Sequence, residues 1–136
     1  MAKARKQWVY SPSYTGLKVP EGLKAEVTAR ANELVTTVLK PEHIEPPPDE
    51  PEFNYLIDIQ TRWRGRFFTF YSLYNCPQPE APSPCFELPF TRLAYVGNER
   101  FDMAYMRHTG RWQQVFEALT LDECLESIRR DPWFRP

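Results

Sequence analysis

The stretch FNYLIDIQTRWRGRFFTFYSLYN, residues 53–75, decides the fold. In its first half Phe53, Tyr55, Ile57, Ile59 and Trp63 are apolar, and Asn54, Asp58, Gln60 and Arg62 between them are polar. A period of two belongs to a strand that buries one face, because successive side chains leave a strand on opposite sides. Arg64-Gly65 reads as a tight turn, and Arg66 to Tyr74 as the returning strand. A two-residue loop there sets Thr61 against Phe68, Ile59 against Phe70 and Ile57 against Ser72. The other face then pairs Arg62 with Phe67, Gln60 with Thr69, Asp58 with Tyr71 and Leu56 with Leu73. That second face is neither apolar core nor plain solvated surface.

The same grammar continues downstream. A third strand spans about Phe86 to Val96, with Pro89 marking a bulge or an edge position. Gly97-Asn98 turns the chain into Arg100–Arg107, and Thr109-Gly110 turns it into Arg111–Phe116. Gly65, Gly97 and Gly110 thus fall where hairpins need a backbone that reaches positive φ. The product is a five-stranded antiparallel β-meander.

Helices flank it. After Pro20, Leu23, Val27, Ala31, Leu34 and Val38 trace one apolar stripe at steps of three and four, and Pro41 is expected to stop the helix. Residues 41–51 hold Pro41, Pro46, Pro47, Pro48 and Pro51 among acids, a stiff polyproline-like strap leading from helix to sheet. Pro77, Pro79, Pro82 and Pro84 stiffen the 75–84 loop in the same way. Thr120 and Glu123 have capping-box spacing. They open a last helix with an apolar stripe of Leu121, Cys124, Leu125 and Ile128; Pro132 ends it, and Trp133 and Phe134 are expected to fold back. The fold class is α+β: N-terminal helix, five-stranded antiparallel meander, C-terminal helix, one sheet layer packed by helices over residues 19–136. Residues 1–18 form an extended arm in which Trp8, Tyr10 and Tyr14 alternate with Lys, Ser and Pro.

Composition narrows the function classes. The whole chain of 136 residues is at −1 and residues 1–18 carry +4 with no acid, so the remainder is at −5. A net acidic body argues against wholesale binding of nucleic acid or membrane. The three cysteines, Cys76, Cys85 and Cys124, cannot all pair within the chain. No stretch has the apolar length of a signal peptide or a membrane span. The expectation is a cytoplasmic protein with reduced thiols.

Two motif runs resemble a known family. Leu93-Ala94-Tyr95-Val96, Phe101-Asp102-Met103-Ala104-Tyr105-Met106-Arg107-His108 and Arg111-Trp112, with Leu125-Glu126-Ser127-Ile128 and Asp131-Pro132-Trp133-Phe134, are similar to a family of small uncharacterised bacterial proteins, a domain of unknown function. The resemblance is strongest over residues 93–134 and extends loosely upstream through the Tyr-Asn-Cys-Pro loop at 74–77. It implies a compact bacterial domain and brings no activity with it.

Alternate turns of a meander lie at the same end of the sheet, which sorts the polar residues. One end is expected to gather Cys76, Cys85 and His108, whose thiolates and imidazole suit a metal or a Cys–His nucleophile pair. Their spacing matches no standard zinc motif. The other end gathers Arg62, Arg64, Arg66 and Arg100, with Phe67 and Tyr71 close by. Guanidinium forks beside rings suit phosphate or single-stranded nucleic acid, and the basic aromatic arm would extend that surface. Arginines at hairpin tips are also ordinary edge protection. No glycine-rich phosphate loop, dinucleotide fingerprint or glycine-framed nucleophile is present, so no cofactor is expected. The leading expectation is a non-enzymatic module that binds a protein or its own copy through the sheet surface or the aromatic arm. A weak single-stranded nucleic-acid binder and an enzyme or metal site at Cys76, Cys85 and His108 are the alternatives.

Overall fold

Pro20 has no N–H to give, and the first helix starts directly behind it with Pro20 as its cap residue. The structure is a computed structural model and describes residue 14 and residues 16–136. Helix α1 spans Glu21–Leu34, runs into a π-helical turn at Val35–Leu39, and closes with α2, Lys40–His43. The meander follows as β1 (Tyr55–Arg64), β2 (Phe67–Asn75), β3 (Cys85–Gly97), β4 (Arg100–Met106) and β5 (Trp112–Leu119). Helix α3 (Leu121–Arg130) and a 3-10 turn at Pro132–Phe134 complete the chain. The strands lie in sequence order and every neighbouring pair is antiparallel.

The helix passes Pro41 instead of stopping there, and the π turn is the reason it can. A proline in a regular helix loses its own hydrogen bond and crowds the carbonyl four residues back. Widening the preceding turn relieves that crowding. The same turn also aligns the buried residues, which are Leu23, Val27, Ala31, Val35 and Leu39, not the expected Leu34 and Val38. Strict steps of four drift about 40° per step around a regular helix. The wider turn at Val35–Leu39 rotates the stripe back toward the sheet.

The β1–β2 register differs from expectation by two residues. The loop is Gly65-Arg66, not Arg64-Gly65, so Arg64 pairs with Phe67, Arg62 with Thr69 and Gln60 with Tyr71. Gly65 holds φ 60° at the first loop position, where the type II′ hairpin turn wants glycine. A slip of two leaves every side chain on its expected face. Leu56 is the exception: a bulge at Ile57 sets it opposite Tyr74 on the helix-packed side, where it joins the core. In the third strand the bulge falls at Phe90, beside Pro89. Pairing of β3 with β4 begins only at Thr91, so Pro89 lies on a stretch with a single neighbour.

One sheet face carries Ile59, Phe68, Phe70, Leu93, Phe101 and Met103, all closed to solvent under α1 and α3. Polar contacts fix α1 along β1. Trp63 Nε1 donates to Thr28 Oγ1 (3.0 Å), Thr61 Oγ1 donates to Asn32 Oδ1 (2.7 Å), and Lys40 Nζ meets Asp58 Oδ1 (2.8 Å). At the far end α3 begins with the anticipated capping box between Thr120 and Glu123, and Arg30 of α1 pairs with Asp122. Phe134 packs into the core, while Trp133 lies against Tyr105 and stays half exposed.

Truncating a fully enclosed ring removes its burial and leaves a cavity. Phe68→Ala should therefore lower the unfolding free energy by about 3–5 kcal/mol in urea denaturation. Phe53→Ala, at a ring 79% exposed, should stay within about 0.5 kcal/mol of the parent. Burial alone would raise the Asp58 carboxyl, but the Lys40 ammonium, the Ile59 N–H and Gln60 together hold it below its ordinary 3.8. A depressed carboxyl stabilises the fold at pH above its unfolded value and loses that contribution as pH falls through the folded value. Asp58→Asn should be less stable than the parent at neutral pH, with the gap closing as pH drops below 3.8.

Candidate binding face

Alternation that buries Phe68 and Phe70 turns Phe67, Thr69, Tyr71 and Leu73 to the other side of β2. Across the ladder, the same side receives Arg62 and Arg64 from β1, Arg92 and Ala94 from β3, and Trp112 from β5. Neither α1 nor α3 packs on this face. Its cover is built instead from its own long side chains.

Guanidinium groups lie on the rings. Arg62 Cζ sits 3.9 Å from the centre of Tyr71, and its Nη2 reaches Glu87 Oε1 at 2.9 Å. Arg66 and Arg92 both lie 4.5 Å from the centre of Phe67. Arg92 also lies 4.7 Å from Trp112, and Arg66 lies 4.3 Å from Tyr14, so one row runs Tyr14, Arg66, Phe67, Arg92, Trp112. Stacking engages the faces of the guanidinium groups and leaves their N–H edges clear of the rings.

The charges in that row are not balanced. Among the described residues the ion pairs join other groups, and none reaches Arg66 or Arg92. Residues 1–18 contain no acid that could do so either. Arg66 donates to the Tyr95 carbonyl at 3.2 Å, whereas Arg92 Nε is buried without a partner. Burial, and after it the charge of Arg66, push Arg92 below the ordinary arginine value. Arginine stays charged through such shifts. Two cations without an ion-pair partner among the described residues thus share the Phe67 ring.

Of the residues expected at this end, Arg62, Arg64, Arg66, Phe67 and Tyr71 share the outer face or its hairpin tip. Arg100 does not join them. Its side chain runs to β5 and α3, reaching Ala118 O at 3.4 Å and Glu123 Oε1 at 4.0 Å. Tyr14 joins the row from the arm expected to extend this surface, whose Trp8 and Tyr10 lie outside the described residues, while Arg92 and Trp112 join it unexpected. The β2–β3 register puts Arg92 opposite Thr69, and the ladder across β4 brings Trp112 beside it.

Cys76, Cys85 and His108 are not brought together. Among the described residues no three His, Cys, Asp or Glu side chains converge on a metal-sized site. Cys76 and Cys85 flank the proline loop, where Cys76 N donates to Pro84 O at 2.7 Å, and His108 is exposed on the β4–β5 turn. Strand length separates them. Cys85 precedes Thr91, where β4 pairing starts, by six residues, or about 20 Å of strand. The turn bearing His108 closes soon after Tyr105, well short of that point. Cys124 is buried on α3, and desolvation, then Glu123 and Asp102, push its thiol up to about 12. Such a thiol is no nucleophile at neutral pH. Iodoacetamide should modify the half-buried Cys76 and Cys85 in the native protein and reach Cys124 only after denaturation, as read by peptide mass.

Comparisons with known proteins place the chain in a family without supplying an activity. Neither the curated proteins nor the solved structures gave a match. Among the described residues no helix is long and apolar enough to cross a membrane. A family model described as a domain of unknown function (DUF3024) matches residues 19–136, the whole of the helix, meander and helix described above. The chain therefore belongs to the DUF3024 family.

Proposed function

We propose that this chain is a non-enzymatic binding module of the bacterial cytoplasm, and that its working surface is the outer face of the sheet, where it takes a protein partner or a second copy of itself. The observation that carries this reading is the row of Arg66, Phe67, Arg92 and Trp112, with two cations that no carboxylate pairs among the described residues. Arginine and large rings are the residue types that dominate binding energy at protein interfaces. Guanidinium N–H edges suit carboxylates, which accept them in bidentate fashion.

A second reading has its own support. Tyr14 connects the acid-free start of the chain, with Lys3, Arg5 and Lys6, to Arg66. Cations in series with rings are what weak single-stranded nucleic-acid binding uses. Against it, the ring faces that bases would stack on are already occupied by guanidinium groups.

Two fluorescent probes separate these readings: a hexaglutamate peptide and an oligothymidylate, titrated by anisotropy at low salt. The expected result is salt-sensitive binding of the peptide, weakened about tenfold or more in Arg66→Gln/Arg92→Gln. Tighter binding of the oligonucleotide, lost in the same variant, would favour the second reading. If neither probe responds to the double substitution, the outer face is not a binding surface for anions.

A further inference from the structure

The chain carries a segment complementary to its own outer face. Between Lys40 and Arg62 there is no Lys or Arg, and the strap with its flanking residues, from the end of α2 to residue 52, holds Glu42, Glu45, Asp49, Glu50 and Glu52. All five are exposed, and none has an ion-pair partner among the described residues. The strap is rich in proline and leads to Phe53, the most exposed large apolar residue described. Proline-rich extended segments lose little conformational entropy on docking, and surfaces lined with aromatic residues are their usual receptors.

Within one molecule the two surfaces stay apart. The strap enters the sheet at the start of β1, and Arg64 and Arg66 sit at its far end, across the ten-residue strand Tyr55–Arg64. That is about 30 Å of strand. Gln78 Nε2 donates to Glu52 O at 2.9 Å and ties the strap to the proline loop at the opposite end. A second copy laid antiparallel over the outer face removes the separation. The strap of each copy then meets the arginine end of the other.

We infer that the chain forms a symmetric antiparallel dimer in which the acidic proline strap of one copy docks on the Arg64, Arg66 and Arg92 end of its partner's outer face. The contact is isologous and closes on itself, so it yields dimers and not filaments. It rests on the outer face being the binding surface, and it names the occupant.

Charge reversal tests it on the full chain by sedimentation velocity. The parent should dimerise in about 0.05 M salt and dissociate toward monomer in about 0.5 M salt, where screening shortens the reach of charge to a few ångströms. Arg64→Glu/Arg66→Glu and Glu50→Arg/Glu52→Arg should each associate about tenfold or more weakly, because each sets like charges against one another. Mixed in equal amounts the two variants should recover a heterodimer, since both contacts are again complementary. Circular dichroism checks that each variant is folded, and Arg64→Glu alone, at the exposed hairpin tip, serves if the pair unfolds. A parent that is monomeric at low salt, or folded variants that associate as the parent does, or a mixture that does not recover, would overturn the inference. A monomeric parent that still binds hexaglutamate through Arg66 and Arg92 would do so while leaving the binding face intact. Failure of both measurements would remove the two together.

Discussion

Phe68, Phe70, Leu93, Phe101 and Met103 come from three adjacent strands and are sealed under α1 and α3, and this one-sided burial organises the rest of the molecule. Removing such rings from water is the main favourable term in a small domain. Once β2 commits Phe68 and Phe70 inward, strand geometry leaves Phe67, Thr69 and Tyr71 no choice but to face out. The same constraint acts on β1 and β3 and delivers Arg62 and Arg92 to that outer side. The arginine and ring row is thus the mirror of the core.

Large rings on a sheet face without a helix would ordinarily form a sticky patch. Here guanidinium groups lie over Tyr71, Phe67 and Trp112 and convert apolar surface into cationic surface. The conversion keeps the rings half-buried while presenting hydrogen-bond donors. It also concentrates positive charge on a body that is net acidic. Five exposed acids without an ion-pair partner among the described residues stand in and beside the proline strap, at the far end of β1 from Arg64 and Arg66. Segregation of that kind is costly to maintain within one molecule, since like charges repel, and it is relieved when opposite surfaces meet.

Much of the fold was legible because its signals are local. Alternation along Ile59 to Trp63, positive-φ glycines at the hairpins and the Thr120–Glu123 box each depend on a few neighbouring residues, and each is present in the structure, with the turns at Gly65 and Gly97 one residue later than read. Departures occurred where a residue answers to something distant. Pro41 did not end the helix because a π turn absorbs its ring and keeps Val35 and Leu39 over the sheet. Leu56 changed faces because a bulge at Ile57 adds a residue that alternation cannot count. Cys85 and His108 parted because β3 outruns β4, and relative strand length is a property of the pairing.

From Asp58 through Leu73 the sequence by itself determined which residues of β1 and β2 face in and which face out, since a period of two survives a register slip of two. It determined too that five acids and five prolines lie in one run and that the first 18 residues carry no acid. Only the tertiary structure decided that both helices choose the same sheet face, that Arg100 leaves its fellow arginines for Glu123, and that Arg92 stands between Phe67 and Trp112. The reason is physical: alternation is written in each strand separately, whereas contacts across a ladder depend on registers and bulges set jointly by strands far apart in the chain.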